Sequence, residues 1–227
     1  MIARVLSNEL ETPTTRRIRL ALDGEPFSYR AGQAATLSAG GVATPYSIAS
    51  SPTETGRHGW LEFLIKVDGS NRFGAGVERL AQDAPVDVSG PGGTFTLDRV
   101  PDGAPLLFIA GGTGIAPIRS MIYESITSGR AGALSLVYSA RTPDEFAYLE
   151  ELRGLSVQGV LNLRLTLTGA AEDWAHARGR TAAGHVADLL QPSTIAFVCG
   201  PPAMVVDIPA ALTSLGVAPN RIVTEDW

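Results

Sequence analysis

The sequence predicts two domains, antiparallel β-structure over residues 1–100 and then an α/β domain on a parallel sheet over residues 101–227. Three observations predict it. Through the first stretch, apolar and polar side chains alternate in short runs set apart by Gly/Pro/Ser-rich turns, the pattern of half-buried strands. From Ala104 onward, compact apolar runs alternate with helical stretches, as they do in a parallel sheet with crossover helices. Between them, Leu97–Gly103 (LDRVPDG) combines a proline, aspartates and a glycine and reads as the domain boundary. A chain of 227 residues holds two such units comfortably.

In the first unit, Arg17–Leu22 and Trp60–Val67 are the clearest strands, and their spacing suggests a barrel or a sandwich. A short helix is expected at Phe73–Leu80, ending before Pro85. In the second unit the expected strands are Pro105–Ala110, Leu134–Ser139, Leu161–Leu167 and Ile195–Cys199. The expected helices between and after them are Ala116–Ser128, Glu145–Leu152, His185–Leu190 and Met204–Leu215.

Composition removes several function classes. Apolar residues make up 44% and charged residues 18%, which is globular. No apolar run approaches the roughly 18–20 residues that span a bilayer. The opening MIARVLSNELETPTT lacks the basic-then-apolar order of a secretory leader, so a cytoplasmic location is expected. One cysteine and three histidines cannot assemble a Cys-rich metal site or an iron–sulfur cluster, and no metal is expected. The formal charge is −5 with no basic block, which argues against nucleic acid as a partner.

Two motifs carry chemistry. Gly111–Pro117 (GGTGIAP) follows a strand and opens a helix. Glycines there let backbone N–H groups approach a pyrophosphate, the helix start favours its charge, and Pro117 suits the first turn. Cys199–Met204 (CGPPAM) ends the fourth strand at the carboxyl edge of the sheet, where ligands of α/β proteins bind. Taken singly, each motif has a bland reading, an ordinary strand–helix turn and a buried cysteine.

Together, GGTGIAP and CGPPAM resemble the paired signature of the ferredoxin–NADP reductase family. Upstream, Tyr29–Gln33 (YRAGQ) resembles its turn before a barrel strand, Thr44–Ser50 (TPYSIAS) its flavin motif, and Gly90–Phe95 (GPGGTF) the segment closing the barrel. Ser139–Arg141 with Glu150–Leu152, and Thr224–Trp227 (TEDW) at the end, resemble later landmarks in the same order. The resemblance implies an FAD-binding β-barrel domain, residues 1–100, and a Rossmann-like NAD(P)-binding α/β domain, residues 101–227. FAD is implied rather than FMN, with NADPH or NADH as co-substrate.

The resemblance also implies roles residue by residue. Tyr46 would lie along one face of the flavin ring, Ser47 would hydrogen-bond near flavin N5, Cys199 would help position the nicotinamide, and Glu225 would complete the polar group and shuttle a proton. Ser47, Cys199 and Glu225 are thus the catalytic candidates. Trp227 would cover the other flavin face, with Thr44, Pro45, Ile65, Lys66, Arg72, Gly74, Ala75, Gly76 and Val77 completing the flavin site. Gly112, Thr113, Gly114, Arg141, Cys199, Gly200, Pro201 and Met204 would hold the dinucleotide. Arg141, Arg164, Arg178 and Arg180 are candidates for a 2′-phosphate.

Two departures fall on the flavin pyrophosphate. Thr44 stands where the family has arginine, and Val77 stands where a hydroxyl is expected. Threonine cannot supply a charge-assisted bidentate contact, so Arg72, or else Arg79, is expected to reach the phosphates instead. The implied function is hydride transfer from NAD(P)H to flavin and onward electron transfer to a separate acceptor: a ferredoxin, a flavodoxin, an oxygenase component or a small molecule. Two other readings stand beside it, a non-catalytic nucleotide-sensing or docking subunit and a free-flavin reductase.

Overall fold

The computed structural model describes every residue except 68, 70, 71, 130, 131, 172 and 227, and excludes the side chains of Arg72 and Ala75. Six strands of the first unit form one antiparallel sheet: β1 (Ile2–Thr12), β2 (Thr15–Ala21), β3 (Ala34–Ala39), β4 (Val42–Ser47), β5 (Trp60–Lys66) and β6 (Pro85–Gly92), in the order β4-β3-β6-β1-β2-β5. The side-chain period of two sends Val5, Ile18, Leu20, Leu37, Leu61 and Phe63 into one core. The edge strands approach at an isolated bridge, Ile48 opposite Phe63, beside an Ala49 N–H bond of 2.8 Å to the Glu62 carbonyl. The sheet is therefore barrel-like, without a continuous ladder to close it.

Helix α1 (Pro52–His58) separates β4 from β5. It was not expected, although its start is written in Ser51-Pro-Thr-Glu54. The Ser51 hydroxyl accepts from the Glu54 N–H and the Glu54 carboxylate accepts from the Ser51 N–H, a reciprocal cap, while Gly59 closes the helix in the left-handed region. Helix α2 (Arg72–Val77) stops before the expected Leu80. Arg79 and Leu80 donate back three residues, and the Asn8 amide donates to the carbonyls of Val77 and Leu80 at 2.8 and 3.0 Å. Gly74 and Gly76 also weaken helix propagation.

The second unit is a parallel sheet in the order β10-β9-β8-β7-β11-β12. Its strands are β7 (Leu106–Gly111), β8 (Leu134–Ala140), β9 (Asn162–Leu167), β10 (Ala177–Arg178), β11 (Ile195–Gly200) and β12 (Ile222–Asp226). Every residue of β7 and β8 is buried, which is why β7 reads as an unbroken apolar run and why β8, with its small serines, shows no exposed polar face. Helices α3 (Ile115–Ser128), α4 (Leu149–Val157) and α5 (Pro202–Ser214) cover the sheet.

Two expected helices differ. The one placed at Glu145–Leu152 is a 3₁₀ turn at Pro143–Glu145 followed by α4. Between them the chain breaks, with Tyr148 at φ 59°, because Phe146, Ala147 and Tyr148 enter the core. The one placed at His185–Leu190 is two 3₁₀ turns, Ala183–His185 and Ala187–Leu189, in which the His185 ring nitrogen accepts the Ala182 N–H and so competes with helix bonding. Among the described residues no helix is long and apolar enough to cross a membrane.

Candidate active site at the carboxyl edge of the parallel sheet

Strand β7 runs straight into the glycine turn. Gly112–Gly114 make one 3₁₀ turn and Ile115 opens α3. The neighbouring strand β11 places Cys199 opposite Ala110 in parallel register, so CGPPAM lies directly against GGTG. The approach leaves no room for side chains. A Cβ on Gly114 would stand 2.3 Å from the Cys199 carbonyl oxygen, and one on Gly111 would stand 2.8 Å from Pro201 Cδ and 2.9 Å from Met204 Cε. The Cys199 backbone thus accounts for Gly114, and the Pro201 and Met204 side chains account for Gly111.

Tyr138 of β8 was not anticipated, and it supports the turn from beneath. Its buried hydroxyl donates to the Gly112 carbonyl and accepts the Ala147 N–H, each at 3.2 Å. The signal is a lone aromatic residue in a strand of aliphatic and small side chains, LSLVYSA, since a buried phenol needs a partner.

The three catalytic candidates come together. Cys199 faces Glu225 in the parallel register of β11 and β12. The Ser47 hydroxyl, at the end of β4 in the other unit, hydrogen-bonds the Glu225 carboxylate. Burial lifts the Glu225 carboxyl to about 7, Asp226 adds to the rise, and the Ser47 bond opposes it. Burial also pushes the Cys199 thiol well above its usual range, reinforced by Glu225 and Asp226. Cys199 is therefore a neutral thiol, with none of the thiolate character of a nucleophile. Gly93 sits beside this group, its Cβ position 3.8 Å from Glu225 Oε1.

The flavin candidates divide. Tyr46 is half-buried, its ring 5.5 Å from that of Phe73 at 49°. Thr44 and Lys66 are also half-buried, while Pro45 and Gly76 are exposed and Gly74 is buried. Ile65 and Val77 are both wholly buried in the barrel core. Their side chains pack inward, so only their backbone is available to a ligand, and Val77 fills core where a hydroxyl was expected to face phosphate. Arg72 opens α2, and its side chain, like that of Ala75 and all of Trp227, lies outside the described residues. Arg79 is exposed.

The dinucleotide candidates Gly112, Thr113, Gly114, Gly200, Pro201 and Met204 all line the β7–β11 edge. Arg141 is exposed just past β8, one strand away. Arg164 is committed elsewhere: it forms a two-pronged pair with Asp188 at 2.7 Å and donates to the His185 carbonyl at 2.9 Å. That pair holds the Asp188 carboxyl down at about 2. Arg178 donates to the carbonyls of Ala171 and Trp174, and Arg180 is exposed.

Residues 108–209 match the family model described as the oxidoreductase NAD-binding domain. Ferredoxin--NADP reductase B of Sorangium cellulosum (strain So ce56) is 34% identical over 216 residues, which cover 87% of this chain and 85% of that protein. The ferredoxin--NAD(P)(+) reductase component of the naphthalene 1,2-dioxygenase system of Pseudomonas putida is 30% identical over 226 residues, 96% of this chain and 66% of that longer protein. Among solved structures, a ferredoxin NADP+ reductase from Neisseria gonorrhoeae with bound FAD and NADP superposes with a TM-score of 0.84 at 24% identity, covering 100% of this chain and 98% of that one.

Proposed function

Since this chain belongs to the ferredoxin–NADP reductase family, we propose that it oxidises NAD(P)H through FAD held by its barrel-like sheet and delivers the electrons to a separate acceptor. The observation that carries the reading is the Ser47–Glu225–Cys199 group, assembled from both units at one sheet edge. Residues 1–100 would be the flavin domain and residues 101–227 the nucleotide domain. The residues present suit a flavin. Tyr46 offers a half-buried flat ring beside the polar group that Ser47 and Glu225 form, as a planar heterocycle with a polar edge requires. When bound, FAD supplies the chemistry that accepts a hydride and releases single electrons.

The chain's own part is binding, orientation and proton control. N–H groups of Gly112–Gly114 and the start of α3 would hold a dinucleotide pyrophosphate. Pro201 and Met204 would wall the nicotinamide, and the small neutral thiol of Cys199 would border it without adding charge. Glu225 holds a proton at near-neutral pH and exchanges it through Ser47. Arg141 and Arg180, both exposed, are the arginines suited to a 2′-phosphate. The acceptor is a ferredoxin, flavodoxin or oxygenase component, supported by relatives named as ferredoxin reductases and oxygenase reductase components. The location is the cytoplasm.

A free-flavin reductase is the second reading, and Thr44 with the inward-facing Val77 favours it, because both weaken the expected hold on the flavin phosphates. Purified protein separates the two. A yellow preparation that reduces a dye from NADPH anaerobically without added FAD supports the bound-flavin enzyme. Reduction only with excess FAD supports the second. A colourless protein that takes up no FAD and reduces no dye refutes both.

A further inference from the structure

Beneath the site, α3 reaches into the barrel unit through two consecutive side chains. Arg119 is 4% exposed. Its guanidinium donates to the Ala49 carbonyl at 2.9 Å, to both Glu54 oxygens at 3.1 Å, and to Glu151 of α4 at 2.5 and 3.2 Å. It also stands 3.9 Å from the wholly buried carboxylate of Glu62, with the rings of Tyr123 and Tyr148 at 4.4 and 5.1 Å. Ser120 Oγ donates to the Ser50 carbonyl at 2.7 Å, which the Tyr29 hydroxyl also reaches at 2.9 Å.

The groups held in this way continue β4. Tyr46 and Ser47 end that strand, and Ile48 and Ala49 follow, their N–H groups bonded to the Gln33 and Glu62 carbonyls at 2.9 and 2.8 Å. Ser50 Oγ accepts the Glu62 N–H at 3.1 Å. The helix that begins at the nucleotide turn therefore grips the segment that carries the flavin-facing residues, with no loop between them.

We propose that Arg119 and Ser120 are positioning residues for the hydride transfer of the previous subsection, fixing the separation between Tyr46–Ser47 and the Gly112–Gly114 turn. This rests on that reading. Lysine at 119 would keep one charge but lose the planar fork that reaches Ala49, Glu54 and Glu151 at once. Alanine at 120 would remove a single hydroxyl bond and threaten folding little.

The test compares Arg119→Lys and Ser120→Ala with the unaltered protein. In flavin-free protein, amide exchange at Ile48 and Ala49 is expected to quicken about tenfold relative to the amides of β8, a local opening rather than a general loss of stability. In FAD-loaded protein, flavin reduction by NADPH in stopped flow is expected to slow by about tenfold, since small misplacements cost that much or more. The long-wavelength charge-transfer absorbance of the nucleotide–flavin complex should weaken with it, while FAD content and the KM for NADPH stay within about twofold. Exchange at Ile48 and Ala49 that tracks β8 in both variants overturns the positioning role whether or not flavin binds, and so does an unchanged reduction rate in both. If the unaltered protein takes up no FAD, the proposed function falls, and the role in hydride transfer falls with it.

Discussion

Glu225→Gln is expected to make the protein more stable at pH 8 while leaving it unchanged at pH 4. The Glu225 carboxyl rises from 4.5 to about 7 on folding, chiefly through burial and then through Asp226. Below pH 4.5 it is protonated in both folded and unfolded chains and contributes nothing to the difference. Between 4.5 and about 7 the folded chain keeps a proton that the unfolded chain has lost, so unfolding becomes easier as pH rises through this window. Above about 7 both states are ionised and the penalty is complete. At about 1.4 kcal/mol per pKa unit the ceiling is about 3 kcal/mol, and screening of this partly accessible group lowers it to roughly 1–2 kcal/mol. Glutamine has no such titration and retains donors and an acceptor for Ser47. Urea unfolding of both proteins at pH 4, 6 and 8 measures the difference, which should open between 4 and 8 and favour the variant. Parallel curves for the two proteins across that range would refute the buried-carboxyl account. The pH dependence of kcat should lose its step near 7 in the same variant.

Gly114→Ala puts a Cβ 2.3 Å from the Cys199 carbonyl, so it should cost about 2 kcal/mol in denaturant unfolding, as backbone overpacking does, and weaken nucleotide binding in a calorimetric titration. Cys199 should resist iodoacetamide at pH 8 over a period that fully alkylates free cysteine, because its thiol is held well above the usual range; mass spectrometry of the intact chain reads this directly. Arg141→Ala should raise the KM for NADPH about tenfold relative to NADH, the loss of one charge-assisted phosphate contact. Arg164→Ala should leave that ratio unaltered, since its guanidinium already serves Asp188 and the His185 carbonyl.

What was legible in the sequence was what a short window can carry. The buried strands β7 and β11 are continuous apolar runs, and GGTG and CGPPAM begin at their ends without a gap. The expected start of helix α4 differs because Phe146 stands three residues before Leu149 and Tyr148 four before Leu152, spacings that also fit a helix. What decides their course is a stack of Phe146 on Trp174, at 5.5 Å and 6°, and Trp174 is remote in sequence. Ile65 and Val77 show the same limit at the site. Resemblance assigns a position to a ligand, but whether a side chain faces the ligand or the core depends on strand and helix phase. The role of Arg119 was invisible for a stronger reason. Its partners Ala49, Glu54, Glu62 and Glu151 come from four separate segments, and a lone arginine in a helix otherwise reads as a surface charge.

The molecule treats its two kinds of buried charge in opposite ways. Arg119 is buried, yet Glu151, Glu62 and Glu54 surround it and keep it ionised. A charge satisfied on several sides resists displacement and fixes the geometry of the groups that satisfy it. At the sheet edge, the Ser47 hydrogen bond favours the Glu225 carboxylate while burial and Asp226 oppose it, and its proton is correspondingly easy to move near neutral pH. A group meant to exchange a proton must be held incompletely, and a group meant to hold a distance must be held on every side. The same segment, Ser47 to Ser50, connects the two: one end touches the labile carboxyl and the other is clamped by Arg119 and Ser120. Loosening the clamp should therefore alter the chemistry at Glu225 without a contact to it.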